Sequence, residues 1–94
     1  MENQTSKPDY FKMIIVDDEP LIRKGFSKYL KWNRIGINVV GQAENGICAI
    51  ELAKRVKPDI VVTDIRMPEM DGLELIRLLK DMLVDSEFIY PSLL

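Results

Sequence analysis

The chain has 94 residues, 47% of them apolar and 30% charged, with a formal net charge of -2, which leaves room for one small domain of ordinary globular composition. That balance excludes the basic field that binding DNA through its phosphates requires, and no apolar run approaches the roughly 18 residues needed to cross a bilayer. Histidine is absent and cysteine occurs once, so Ser–His and Cys–His nucleophiles, an internal disulfide and phosphorylation on a histidine of this chain are all ruled out.

Residues 1–10, MENQTSKPDY, are polar and lack the apolar segment of a secretion signal. They read as a disordered head in front of a folded segment, residues 11–94, and the lone cysteine suits a reducing cytoplasm. Met13 to Val16 (MIIV) forms the first predicted strand and runs straight into Asp17, Asp18 and Glu19. Pro20 then suits the first turn of a helix, where its missing N–H costs nothing. Leu21, Ile22, Gly25, Phe26, Tyr29 and Leu30 share one face of that helix. Trp32 and Tyr29, near its end, read as core or interface packing. Ile37 to Val40 (INVV) is the second strand. Asn45-Gly46 turns the chain into a second helix with Ala49, Leu52, Ala53 and Val56 on one side, and Pro58 punctuates its end. Cys48 reads as a packed or partly exposed thiol. Ile60 to Thr63 (IVVT) is the third strand and leads into Asp64. Asp71-Gly72 opens a third helix carrying Leu75, Ile76, Leu79 and Leu83, and Phe88 to Tyr90 (FIY) is a fourth strand.

The strands are nearly all apolar rather than alternating, which predicts helices on both faces. Strand starts recur at roughly 25-residue spacing, long enough for a helix between parallel strands. The expected architecture is therefore α/β, a doubly wound parallel sheet of flavodoxin type with strand order 2-1-3-4. Such sheets bind ligands beyond the carboxyl ends of their strands, beside the switch in strand order. Asp17, Asp18 and Asp64 should converge there. Three carboxylates in one pocket repel one another. Mg²⁺ would relieve that repulsion, because it prefers hard oxygen ligands. A carboxylate beside such a cation can act as a nucleophile towards a phosphoryl group. Taken alone, an Asp-Asp pair is more often a solvated loop or a helix cap, and Asp71-Gly72 has a sufficient reading as a helix start.

IIVDDEP, followed by VVTDIRMPEMDGLELI, resembles the receiver domain of bacterial two-component response regulators. The likeness runs from about Phe11 to Ser92. EPLIRKGFSKYLKW and GQAENGICAIELAKRVKPDIVVTDIRMP look most like receivers joined to AraC-type DNA-binding domains. The resemblance implies that Asp64 accepts a phosphoryl group from a sensor histidine kinase. It also implies that Asp18 and Asp64 ligate Mg²⁺ through side chains and Arg66 through its backbone carbonyl, with Asp17 holding a metal-bound water. Met67-Pro68 would shape the loop beside the acceptor, and Ser92 would supply a hydroxyl that senses the phosphoryl oxygen.

A complete receiver continues with helix four, a strand five bearing a lysine, and helix five. The expectation here is a receiver truncated at its C-terminus, without those elements. Strand four would then form an exposed edge, with Pro91 tolerated near it, and exposed edges recruit other strands. Two further readings stand beside the signalling one. Under the second, the chain is a phosphorylation-impaired interaction fragment that docks a kinase or dimerises without signalling output. Under the third it is an aspartate-dependent phosphohydrolase, which the presence of Arg66 two residues after Asp64 disfavours, since those enzymes place a second acid there. DNA contact is expected only from an absent output domain, and no membrane contact is expected.

Overall fold

A computed structural model describes residues 10–28 and 30–90. Residues 1–9 of the expected head at residues 1–10, Tyr29, and residues 91–94, which include Pro91 and Ser92, lie outside the described residues. Four strands form a single sheet: β1 (Phe11–Val16), β2 (Ile37–Ala43), β3 (Ile60–Thr63) and β4 (Glu87–Ile89). They lie in the order β2-β1-β3-β4, and each neighbouring pair is parallel. The doubly wound arrangement and the order 2-1-3-4 stand as expected.

Burial on both sides explains the strands' composition. Ile14, Val16 and Val61 project into a core shared with α2 (Gly46–Val56) and α3 (Gly72–Met82), where Ala49, Leu52, Ala53, Leu75 and Leu79 meet them. Met13, Ile15 and Val62 face the other way, towards Phe26 of α1 (Pro20–Lys28) and Trp32 of a short 3-10 turn, Trp32–Ile35. A period-2 backbone inserted between two apolar layers requires an apolar residue at every step, as Met13 to Val16 of β1 and Ile60 to Val62 of β3 supply.

The helices start where local chemistry allows. Asn45 caps α2 by accepting the Cys48 N–H at 2.8 Å, and Asp71 caps α3 by accepting the Glu74 N–H at 2.8 Å; both satisfy donors that have no intrahelical partner. At the far end of α2, Lys12 Nζ donates to the Val56 carbonyl at 2.6 Å, placing a cation against the negative pole of the helix. The αL conformation of Lys57 (φ 48) then turns the chain into buried Pro58.

Four sequence expectations change in detail, the first being that β1 begins at Phe11 rather than Met13. β2 runs to Ala43 rather than Val40, with a register shift opposite Met13/Ile14; pairing with Ile14, Ile15 and Val16 extends it through Gly41 and Gln42, residues of low strand propensity. β4 is Glu87–Ile89, one residue earlier than predicted, because it aligns with Ile60, Val61 and Val62. The largest change is α1. It ends at Lys28, none of its residues is fully buried, and Leu21 is 80% exposed. Of the predicted stripe, Phe26 packs on the sheet, whereas Ile22 borders a cavity of about 280 Å³ between α1 and strands β1 and β3.

Candidate functional site

The backbone ladder runs one step past each strand end. Asp17 N–H donates to Ala43 O at 3.1 Å, and Asp64 N–H donates to Val16 O at 3.0 Å. Asp17 and Asp64 are thus the first residues beyond two adjacent central strands, held level with each other by sheet bonds. Asp18 follows Asp17 directly. One carboxylate oxygen from each of Asp17, Asp18 and Asp64 lies within 4.8 Å of the other two. At that separation a pair of unit charges repels by about 3 kcal/mol at an effective dielectric near 20, and by less where water reaches exposed Asp18.

The carboxylates differ in setting. Asp17 is half-buried and its Oδ1 accepts the Glu19 N–H at 2.9 Å. Burial pushes its pKa above the ordinary value of 3.8; the Glu19 N–H pulls it down, and the charges of Asp64, Asp18 and Glu19 push it up again. Asp64 Oδ1 accepts the Arg66 N–H at 3.3 Å, a long bond, and Oδ2 has no donor among the described residues. The Arg66 side chain is exposed.

The loop after Asp64 is shaped by a few close contacts. Thr63, fully buried, turns its hydroxyl to the Asp64 carbonyl at 3.0 Å. Met67 sinks into the core beneath α2 and α3. Glu69 has φ 70, and the Met70 N–H donates to Pro68 O at 2.7 Å; together these mark a tight γ-turn that L-residues rarely adopt. The chain then returns so closely that a Cβ on Gly72 would stand 2.1 Å from the Asp64 carbonyl oxygen. Only glycine fits there. The sequence marks Gly72 as a helix start, and the Asp-Gly pair carries no signal of this approach.

Two clefts open at the same rim. The cavity beneath α1 has apolar walls, including Ile15, Ile22, Phe26 and Val62, with Asp17, Glu19 and Asp64 at its mouth. A shallower cleft is lined by Asp18, Glu44, Asn45, Pro68 and Glu69. The donor set fits a hard divalent cation: every side-chain donor is a carboxylate oxygen, and the charges of Asp64 and Asp18, which add to burial in raising the Asp17 pKa, are what a cation offsets.

Residues 13–90 match the family described as response regulator receiver domain. This chain belongs to that family. Among curated relatives, the receiver is 38% identical over 82 residues to an uncharacterized transcriptional regulatory protein, YesN, of Bacillus subtilis strain 168, a match covering 87% of this chain and 22% of that protein. It is 40% identical over 78 residues to a putative transcriptional regulator of Pseudomonas aeruginosa, covering 83% of this chain and 37% of the other. Among solved structures, it resembles the REC domain of AraT, a response regulator from Geobacillus stearothermophilus, with TM-score 0.80 and 39% identity, covering 85% of this chain and 62% of that one. A two-component transcriptional regulator AraC from Clostridium phytofermentans matches with TM-score 0.80 and 36% identity at the same coverage. The receiver therefore spans well under half the length of these curated relatives and about three fifths of these solved chains. Among the described residues, no helix is long and apolar enough to cross a membrane.

Proposed function

We propose that this receiver is a cytoplasmic phosphoacceptor in two-component signalling, with Asp64 the residue that takes the phosphoryl group from a sensor histidine kinase. The observation that carries this reading is the meeting of the Asp17, Asp18 and Asp64 carboxylates within 4.8 Å of one another at the rim of the sheet. Asp18 and Asp64 would hold Mg²⁺ through side-chain oxygens and Arg66 through its backbone carbonyl, with Asp17 reaching it through water. Bound there, Mg²⁺ supplies charge compensation for the incoming phosphate and for the attacking carboxylate.

The chain's own residues account for the remaining steps. The Arg66 N–H fixes one oxygen of Asp64, and Oδ2 is left to approach phosphorus. As the new O–P bond forms, the P–N bond to the kinase imidazole breaks and the nitrogen keeps its electron pair. The product is an acyl phosphate on Asp64. Burial of Thr63 and the close packing of Gly72 hold the Asp64 backbone still during that approach. The hydroxyl of Ser92 would sense the phosphoryl oxygen, and the readout in transcription would come from a DNA-binding part such as longer regulators of this family carry. As a signalling domain modified once per cycle, it is not a multiple-turnover enzyme.

A second reading is an interaction fragment that docks a kinase or self-associates without being phosphorylated. It draws support from the outer edge of β4, which has no partner among the described strands. Incubation with acetyl phosphate and Mg²⁺, followed by intact mass, separates the two. The acceptor reading expects a phosphate-sized gain that disappears with a chelator and in Asp64→Asn. No gain together with retained kinase binding would favour the fragment, and release of many phosphates per protein would favour a hydrolase.

A further inference from the structure

Arg23 lies on the second turn of α1, six residues after Asp17, and is half-buried. Its Nη1 donates to the backbone carbonyl of Asp17 at 2.6 Å. A cation reaching a rim that carries three carboxylates would ordinarily be read as their counter-charge, yet among the described residues its side-chain contact is with the peptide, not with a carboxylate. We propose that Arg23 is a positioning residue for the metal site: by gripping the Asp17 carbonyl it sets the plane of the Asp17–Asp18 peptide and hence the direction in which Asp18 presents its carboxylate.

The geometry of the peptide unit carries this assignment. The Asp17 carbonyl, the Asp18 N–H and the Asp18 Cα lie in one plane. Asp17 is already held on two sides, its N–H by Ala43 O and its Oδ1 by the Glu19 N–H. The second of those bonds closes a ring through the Asp17–Asp18 peptide and restrains it from the Glu19 side, while the Asp17 carbonyl oxygen stays outside that ring. The Arg23 bond anchors that oxygen and so completes the hold on the peptide plane. Asp18 has no recorded hydrogen bond of its own among the described residues and is exposed, so its aim depends on the backbone beneath it. The grip also ties the rim to α1, whose own packing on the sheet is slight.

Charge and position predict opposite signs, which makes the assignment testable; it rests on the metal-binding reading above. Deleting a nearby positive charge favours a cation, whereas deleting a positioning bond weakens its binding. The experiment titrates Mg²⁺ calorimetrically into the 94-residue chain and into Arg23→Met and Arg23→Lys, with thermal unfolding recorded for each metal-free protein. Met keeps the apolar stem and loses both donor and charge, so packing on α1 survives; Lys keeps a donor and the charge. The expected result is Mg²⁺ affinity about tenfold weaker in Arg23→Met, as for other residues that orient metal ligands, and largely restored in Arg23→Lys. Unchanged or tighter binding in Arg23→Met overturns the proposal and makes Arg23 a bystander charge. Equal weakening in both variants, in step with lowered Tm, overturns it in favour of a structural role. A folded wild-type chain that takes up no Mg²⁺ sinks the metal-site reading itself, a result distinguishable from either of these.

Discussion

The ionisation of Asp17 is opposed by its surroundings, chiefly by burial. Its folded pKa lies above the unfolded value, so the folded state binds the proton more tightly. The stability it contributes is fully present below the ordinary value of 3.8 and is lost as pH rises through the raised folded value. Asp17→Asn keeps an oxygen for the Glu19 N–H and removes the charge. In metal-free protein, thermal melts should show Asp17→Asn more stable than wild type by a few degrees at neutral pH, with the gap closing as pH falls below the ordinary carboxylate range. A gap that persists in acid would mean that something other than ionisation separates the two proteins. Asp17, Asp18 and Asp64 were all legible in the sequence, because acids that terminate apolar runs stand out. Arg23 was not: a side chain that reaches six residues back to a carbonyl leaves no periodic trace. Glu69 was also invisible, since nothing about glutamate foretells a positive φ.

Elements meet most tightly where α3 begins against the end of β3. The missing Cβ of Gly72 is what lets the helix start beneath the Asp64 carbonyl, and its N–H donates to Ile65 O at 2.7 Å. Gly72→Ala must push backbone, not a flexible side chain, and should cost on the order of 1–3 kcal/mol in chemical denaturation, as other overpacked sites do. The acceptor loop would shift with it, so phosphorylation by acetyl phosphate should slow more than the loss of folded protein explains. If the variant matched wild type in both measurements, the close approach would not be what holds Asp64. The strands and the inner faces of α2 and α3 could be read from apolar spacing, since each of those surfaces meets a partner along its length. The face of α1 was over-read. Spacing shows which side of a helix is apolar, not how much sheet lies beneath it. The 3-10 turn escaped for a related reason: it is held by Trp32 stacking on Phe26 and donating its Nε1–H to the Phe26 carbonyl, contacts made across the end of α1.

At the scale of the molecule, the two ends of the sheet edge are unlike. β2 is a seven-residue strand backed by α2, whereas β4 has three residues and a bare outer side among the described strands. Ile89 and Tyr90 are each 48% exposed there, and Val84 is 80% exposed nearby. Unpaired apolar edges attract further strands, so sedimentation should show concentration-dependent association of this chain. Ile89→Lys, a charge of the kind that blunts natural edges, should return it to a monomer. A wild type that sediments as a monomer at every concentration would count against the edge as a contact surface. The fold class was recoverable at this scale from strand spacing and composition, while the exposure of one edge depends on what lies beside it in space.

The amides of Asp17 and Asp64 are the last rungs of the ladders that join β1 to its two neighbours. Their side chains cannot drift apart by slackening a loop, because any such retreat unzips the sheet from its end. The crowding is therefore a standing tension in the frame itself, like a spring held compressed between two fixed posts, and it can be discharged only by an arriving cation or proton.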